Sequence, residues 1–117
     1  MISIKDRSVL ISLLQAEYDE TLIDIIAWLA VEYPERIVIT CGYRAGDKGV
    51  HGTKPCRGID IRSWTFKHPK RVANYINLEW EYDYKRPHKV VAYVHDSGSG
   101  IHFHIQCHSN TRRRKSK

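Results

Sequence analysis

The chain has 117 residues, 42% of them hydrophobic and 27% charged, with a net charge of +6 from 19 Lys and Arg against 13 Asp and Glu. That size fits one domain with a modest core and excludes a barrel or dinucleotide-fold enzyme of standard length. The composition excludes low-complexity disorder and collagen-like repeats. No apolar run nears the roughly 20 residues that span a bilayer, because Asp24 breaks the longest one, residues 22–31.

Residues 5–18 place Val9, Leu10 and Ile11 next to Leu13 and Leu14, a mixed signal read here as a helix. Asp19 is a candidate cap for a second helix over 21–33. There Leu22, Ile25, Ile26, Leu29 and Tyr33 form one apolar stripe at helical spacing, and Pro34 stops it. Residues 36–41 are rich in β-branched side chains and read as a buried strand. A glycine-rich loop over 42–56 follows, then the alternating strand 58–61. Val72, Ile76 and Trp80, four residues apart, predict a helix from Pro69. A strand at 89–96, a Ser97-Gly98-Ser99 turn and a partner strand at 100–107 complete a hairpin. The order predicts an α+β fold in which two or three helices accompany a small, mainly antiparallel sheet. It forms a single domain over 1–110, followed by a basic tail at 111–117.

Five of the basic residues lie in that tail: Arg112, Arg113, Arg114, Lys115 and Lys117. The rest of the chain is close to neutral. The tail reads either as a solvated, frayed terminus or as an arm for polyanions such as nucleic acid or teichoic acid. The three cysteines, Cys41, Cys56 and Cys107, are odd in number and unclustered, which argues against a disulfide-stapled secreted domain. The start Met-Ile-Ser-Ile-Lys-Asp shows no signal-peptide pattern, so synthesis in a reducing cytoplasm is expected.

Chemistry concentrates in three places. On the last strand His102 and His104 project from one face, with Phe103 on the other. Such a pair can bind a metal, or divide metal binding and proton transfer between them. The plainer reading is surface histidines on an edge strand. Asp60 stands between two isoleucines, where a carboxylate is unusual unless it holds a metal or pairs with Arg57 or Arg62. His51 precedes it on the glycine-rich loop. A His, Asp, His set with an open fourth position is a standard catalytic zinc arrangement. His102 is then placed to move protons while His104 binds metal. Gly42-Tyr43-Arg44 follows the first strand, where Arg44 can clamp a carboxylate or a peptide carbonyl, or can simply be solvated. Cys56 and Cys107 are read as small core residues. Trp80, Tyr82 and Tyr84, alternating with Glu81 and Asp83, are read mainly as packing, with a glycan or peptide groove as the alternative.

The order Ile39-Thr-Cys-Gly-Tyr-Arg44, then His51, then Gly58-Ile-Asp60-Ile61, then His102-Phe-His104-Ile resembles the LAS group of peptidoglycan peptidases. That group contains zinc D-alanyl-D-alanine carboxypeptidases and phage L-alanyl-D-glutamate endolysins, and shares its metal-site fold with hedgehog proteins. The resemblance covers residues 20–107. It implies that His51, Asp60 and His104 bind Zn2+, that His102 is a base or transition-state stabiliser, and that Arg44 and Tyr43 bind a stem-peptide substrate. It implies a small metallopeptidase of phage or prophage type that reaches the wall by lysis, a holin or a virion. Eight residues rather than six separate His51 from Asp60, and Ile101 stands where the group carries a carboxylate base three residues before His104. Asp96, Glu79, Glu81 and Asp83 are the other candidates for that base.

Two rival readings use the same residues. A LAS-like domain without its base would bind zinc or peptidoglycan without cutting, or serve as a virion component. His-Phe-His is also the metal motif of HUH endonucleases, which nick single-stranded DNA with a tyrosine. No tyrosine follows His104, so that reading would need Tyr18.

Overall fold

The structure is a computed structural model that describes residues 2–96, 98 and 100–114. In chain order it contains β1 (Ile2–Ile4), α1 (Arg7–Leu14), α2 (Glu20–Glu32), β2 (Ile37–Cys41), β3 (Gly58–Ile61), α3 (Pro69–Glu79), β4 (Trp80–Glu81), β5 (Ala92–Asp96), β6 (Ile101–Gln106) and β7 (Arg112–Arg113). A single 3-10 turn, Val50–Gly52, interrupts the long loop after β2. The five-stranded sheet runs β1-β2-β3-β6-β5, and only the β1–β2 pair is parallel. The expected α+β class with a mainly antiparallel sheet and three helices is therefore what the chain adopts. No helix among the described residues is long and apolar enough to cross a membrane.

Local chemistry explains most boundaries. The Asp6 carboxylate accepts from Val9 N (3.0 Å) and starts α1, and Asp19 does the same from Thr21 N (2.9 Å) for α2. Pro69 occupies the first turn of α3, where its missing N–H is not needed. Asn77 on α3 then fixes the start of β5. Its Oδ1 accepts from Val91 N and Ala92 N, both at 3.0 Å, and its Nδ2 donates to Ala92 O at 2.8 Å.

The period of two divides the sheet into unlike faces. Ile59 and Ile61 pair with Ile105 and Phe103, which in turn lie opposite Ala92 and Val94. This apolar face shares one core with Leu22, Ile25, Ile26 and Leu29 of α2 and with Val72, Ala73 and Ile76 of α3. Asp60, His102, His104, Tyr93 and His95 occupy the alternate positions and face the other way.

The ends of the chain add two features. The helix expected within 5–18 forms over Arg7–Leu14, and before it lies an unexpected strand, β1, three residues hydrogen-bonded along the edge of β2, with Lys5 N donating to Ile39 O at 3.0 Å. A strand that short carries no periodicity of its own. The start of the tail is seated on the body rather than frayed. Arg112 and Arg113 pair antiparallel with Trp80 and Glu81. Arg112 Nε donates to Glu81 (2.9 Å), Arg113 Nε to Glu79 (2.9 Å) and Arg114 Nε to Asn77 O (2.9 Å). The Arg113 guanidinium also lies over the Trp80 ring, 5.8 Å from its centroid. Lys115, Lys117, Ser97 and Ser99 lie outside the described residues.

Phe103 is fully buried at the centre of the core. Phe103→Ala should lower stability by about 3–5 kcal/mol. Urea denaturation should show this as a reduced midpoint with an unchanged slope.

Candidate metal centre

The polar face of the sheet carries a row of four side chains at one register: Cys41 of β2 opposite Asp60 of β3, Asp60 opposite His104 of β6, and His104 opposite Tyr93 of β5. Cys41 reaches this face because the register of β2 shifts between Ile39 and Cys41. Unbroken alternation from Ile39, which is buried in the core, would have turned Cys41 into the core as well. His51 comes from the 3-10 turn, which sits on β3 at Gly58. A Cβ at Gly58 would stand 2.5 Å from Val50 Cγ2 and 3.3 Å from His51 N, so glycine permits that close approach.

The imidazoles converge on one carboxylate oxygen. His51 Nε2–H donates to Asp60 Oδ1 at 3.2 Å, and His104 Nδ1–H donates to the same oxygen at 2.8 Å. The outer nitrogens are held too. His51 Nδ1–H donates to Gly42 O at 2.9 Å. His104 Nε2–H donates to Gln106 Oε1 at 3.1 Å, and Gln106 Nε2 donates to Val90 O at 2.9 Å, which fixes the direction of the amide. Clasping the outer ring nitrogen with a carbonyl is how proteins orient histidines that ligate metals through the inner nitrogen.

The ligand atoms of Cys41, His51 and Asp60 lie within 4.8 Å of one another, and these three could hold a metal ion. Two of the three expected ligands, His51 and Asp60, belong to that group. The third, His104, meets Asp60 from the neighbouring strand. Imidazole, carboxylate and thiolate together suit zinc or another transition ion better than magnesium or calcium.

Charge is compensated inside the site without a lysine or arginine on Asp60. Burial alone would raise the Asp60 pKa, but the hydrogen bonds from His104 and His51 outweigh it and hold the carboxyl well below the usual range. Burial alone would lower the His51 pKa. The Asp60 hydrogen bond, the Cys41 contact and the Gly42 carbonyl reverse that and carry it up to about 10. In the metal-free protein the pair is thus imidazolium and carboxylate, and a metal entering must displace protons.

The site floors an open cleft of about 530 Å³ whose wall includes Arg44, Asp47, Tyr93, His95, His102 and Gln106. His102 is half-buried there, its ring centroid 5.9 Å from that of His95 on the neighbouring strand. A second cleft, of about 440 Å³, shares Arg44, Asp60 and His102 with the first and adds Lys5, Arg62 and Trp64. The Arg44 guanidinium is exposed and paired with Asp47 at 3.0 Å. Tyr43 does not join it. The Tyr43 ring is buried under Lys54, its N donates to Tyr18 Oη at 2.7 Å, and it is absent from the lining of either cleft.

The four alternative carboxylates also lie elsewhere. Asp83 is buried against Arg86 and Asn110, Glu79 and Glu81 hold the tail arginines, and Asp96 accepts from Gly98 N. Among the described residues lining the first cleft, Asp47 is the carboxylate besides Asp60. Cys56 and Cys107 are core residues, as expected, and burial pushes the Cys107 thiol up to about 12. Cys41 and Gln106 escaped the sequence reading. The signal for Gln106 was present, two residues after His104 on the same strand face. Cys41 had none, because the register shift that turns it is not encoded by a recognisable residue.

Two outcomes follow. The raised His51 pKa stabilises the metal-free fold fully below its unfolded value near 6.5, and this contribution is lost as pH rises through about 10. The advantage of the metal-free parent over Asp60→Asn, measured as the difference in melting temperature, should therefore shrink steadily across that window. Gln106→Leu frees the His104 ring and should weaken zinc binding by roughly 10–100-fold in a chelator competition.

Compared with protein-family models, with curated proteins and with solved structures, the chain finds no match.

Proposed function

We propose that the protein is a zinc-dependent peptidase of the LAS type that cleaves an amide bond in peptidoglycan stem peptides. The observation that carries this reading is the convergence of His51 and His104, each with its outer nitrogen clasped by a carbonyl, on the buried Asp60 carboxylate at the floor of an open cleft. That donor set fits zinc. When bound by His51, Asp60 and His104, zinc supplies Lewis acidity that polarises an amide carbonyl and lowers the pKa of an attacking water to about 7.

The remaining work belongs to the chain. His102 borders both clefts beside Asp60. Its imidazole takes a proton from the attacking water and returns it to the leaving amine, a role that contributes about 10²–10⁴-fold in rate. Arg44 stands where the clefts meet, its guanidinium exposed and steadied by Asp47. It binds a carboxylate of the stem peptide in bidentate fashion. The second cleft is cationic: Lys5, Arg44 and Arg62 line it together with Trp64, whose ring is 74% exposed and carries the Arg62 guanidinium at 4.6 Å. An acidic portion of the substrate fits that side.

One observation favours a second reading. Asp47 is already engaged by Arg44 and by Gly49 N (2.6 Å), and the other candidate bases do not line the cleft. A zinc-holding domain that binds stem peptides without cutting is consistent with this. The nuclease reading gains nothing, since the Tyr18 hydroxyl is taken up by Tyr43 N and Ser12 O.

The protein should bind about one zinc per chain, and Asp60→Ala and His104→Ala should both lose it in elemental mass spectrometry. Zinc-loaded protein should release peptide fragments from purified peptidoglycan, detected by mass spectrometry. His102→Ala should keep its zinc and lose about 10²–10⁴-fold in turnover. Zinc binding with no fragment released would leave the non-cutting reading in place of the peptidase.

A further inference from the structure

We propose that Cys41 is a fourth protein donor to the same metal, so that the resting centre is closed by Cys41, His51, Asp60 and His104. This rests on the reading that the centre binds a metal, and goes beyond it by assigning a ligand and a resting state.

Three observations converge on Cys41. Its sulfur belongs to the group whose ligand atoms lie within 4.8 Å of one another, with His51 and Asp60. It faces Asp60 at the same register from β2 as His104 does from β6, so the carboxylate is flanked on both neighbouring strands. Finally, the register shift in β2 turns this one cysteine out of the core, whereas Cys56 and Cys107 are fully buried. A half-buried thiol that lines the second cleft, held by long contacts of 3.6 Å to Gly42 O and 3.9 Å to His51 Nδ1, is free to change partners.

The chemistry has a functional consequence. Structural zinc sites are closed by four protein ligands, while catalytic sites use three and leave a position open. With the thiolate bound, the centre is of the closed kind; with the sulfur released, the three remaining donors leave the open position that amide hydrolysis needs. Because Cys41 borders the cleft that contains Lys5, Arg62 and Trp64, an occupant of that cleft meets the sulfur directly.

Cobalt tests this without relying on activity. The metal-free full chain is loaded with Co2+, binding is measured by equilibrium dialysis, and the near-ultraviolet thiolate-to-cobalt charge-transfer band is recorded. The parent should show the band, and Cys41→Ser should still bind cobalt but lose it. Cobalt bound without a thiolate band, or a band that survives in Cys41→Ser, overturns the ligand assignment and leaves the three-donor centre intact. No cobalt bound by the parent overturns the metal reading itself. Should Cys41→Ser fail to fold, alkylation of the unaltered chain decides the matter: bound zinc should slow iodoacetamide labelling of Cys41, located by peptide mass, and equal labelling with and without zinc overturns the proposal.

Discussion

A carboxylate on an inner strand of a sheet is costly to bury, and at Asp60 two imidazoles offset that cost. An isolated ionised carboxyl in such a place would be neutralised or would unfold its surroundings. Asp60 stays ionised because His51 and His104 both donate to one of its oxygens. Those histidines are useful only in fixed orientations, which Gly42 and Gln106 impose through their outer nitrogens. The loop after β2, the 3-10 turn, β3 and β6 are therefore tied together at one point. Removing Asp60 would release all of them at once.

The sheet makes this arrangement by separating two jobs. Alternation sends Ile59, Ile61, Phe103 and Ile105 to a core shared with α2 and α3, and sends Asp60, His102 and His104 to the opposite face. The apolar side supplies rigidity, while the polar side presents a row of donors at a single register. Two local departures from regularity finish the site. The shifted register of β2 brings Cys41 to the polar face. The missing side chain at Gly58 lets the turn carrying His51 close onto β3.

At the periphery, charge is used within the fold. A run of arginines at the end of a basic chain suggests an arm for anions. Here Arg112, Arg113 and Arg114 meet Glu79, Glu81 and the Asn77 carbonyl, partners that the end of α3 and β4 supply. Exposed ion pairs of this kind contribute about 0–1 kcal/mol each. Strand pairing with Trp80–Glu81 and stacking over Trp80 add to them and seat the segment on the body. Near the site, Lys5, Arg44 and Arg62 are scattered in sequence and gathered by folding at the second cleft.

Short-range physics was legible in the chain. Helical spacing from Leu22 to Leu29, the Asp19 cap, the Pro69 start and the alternation of Gly58–Ile61 and of His102-Phe-His104 each depend on neighbours within a few residues, so the sequence alone determined α2, α3, β3 and β6, and placed His102 and His104 on one face. What lay beyond its reach depends on partners far away in the chain. β1 exists because β2 offers an edge, Tyr43 is buried because Tyr18 and Lys54 enclose it, and Arg112 and Arg113 are seated because Trp80, Glu79 and Glu81 face them. Only the tertiary structure decided that Cys41 joins His51 and Asp60, because strand register, unlike strand propensity, is settled by which side chains two strands bury together.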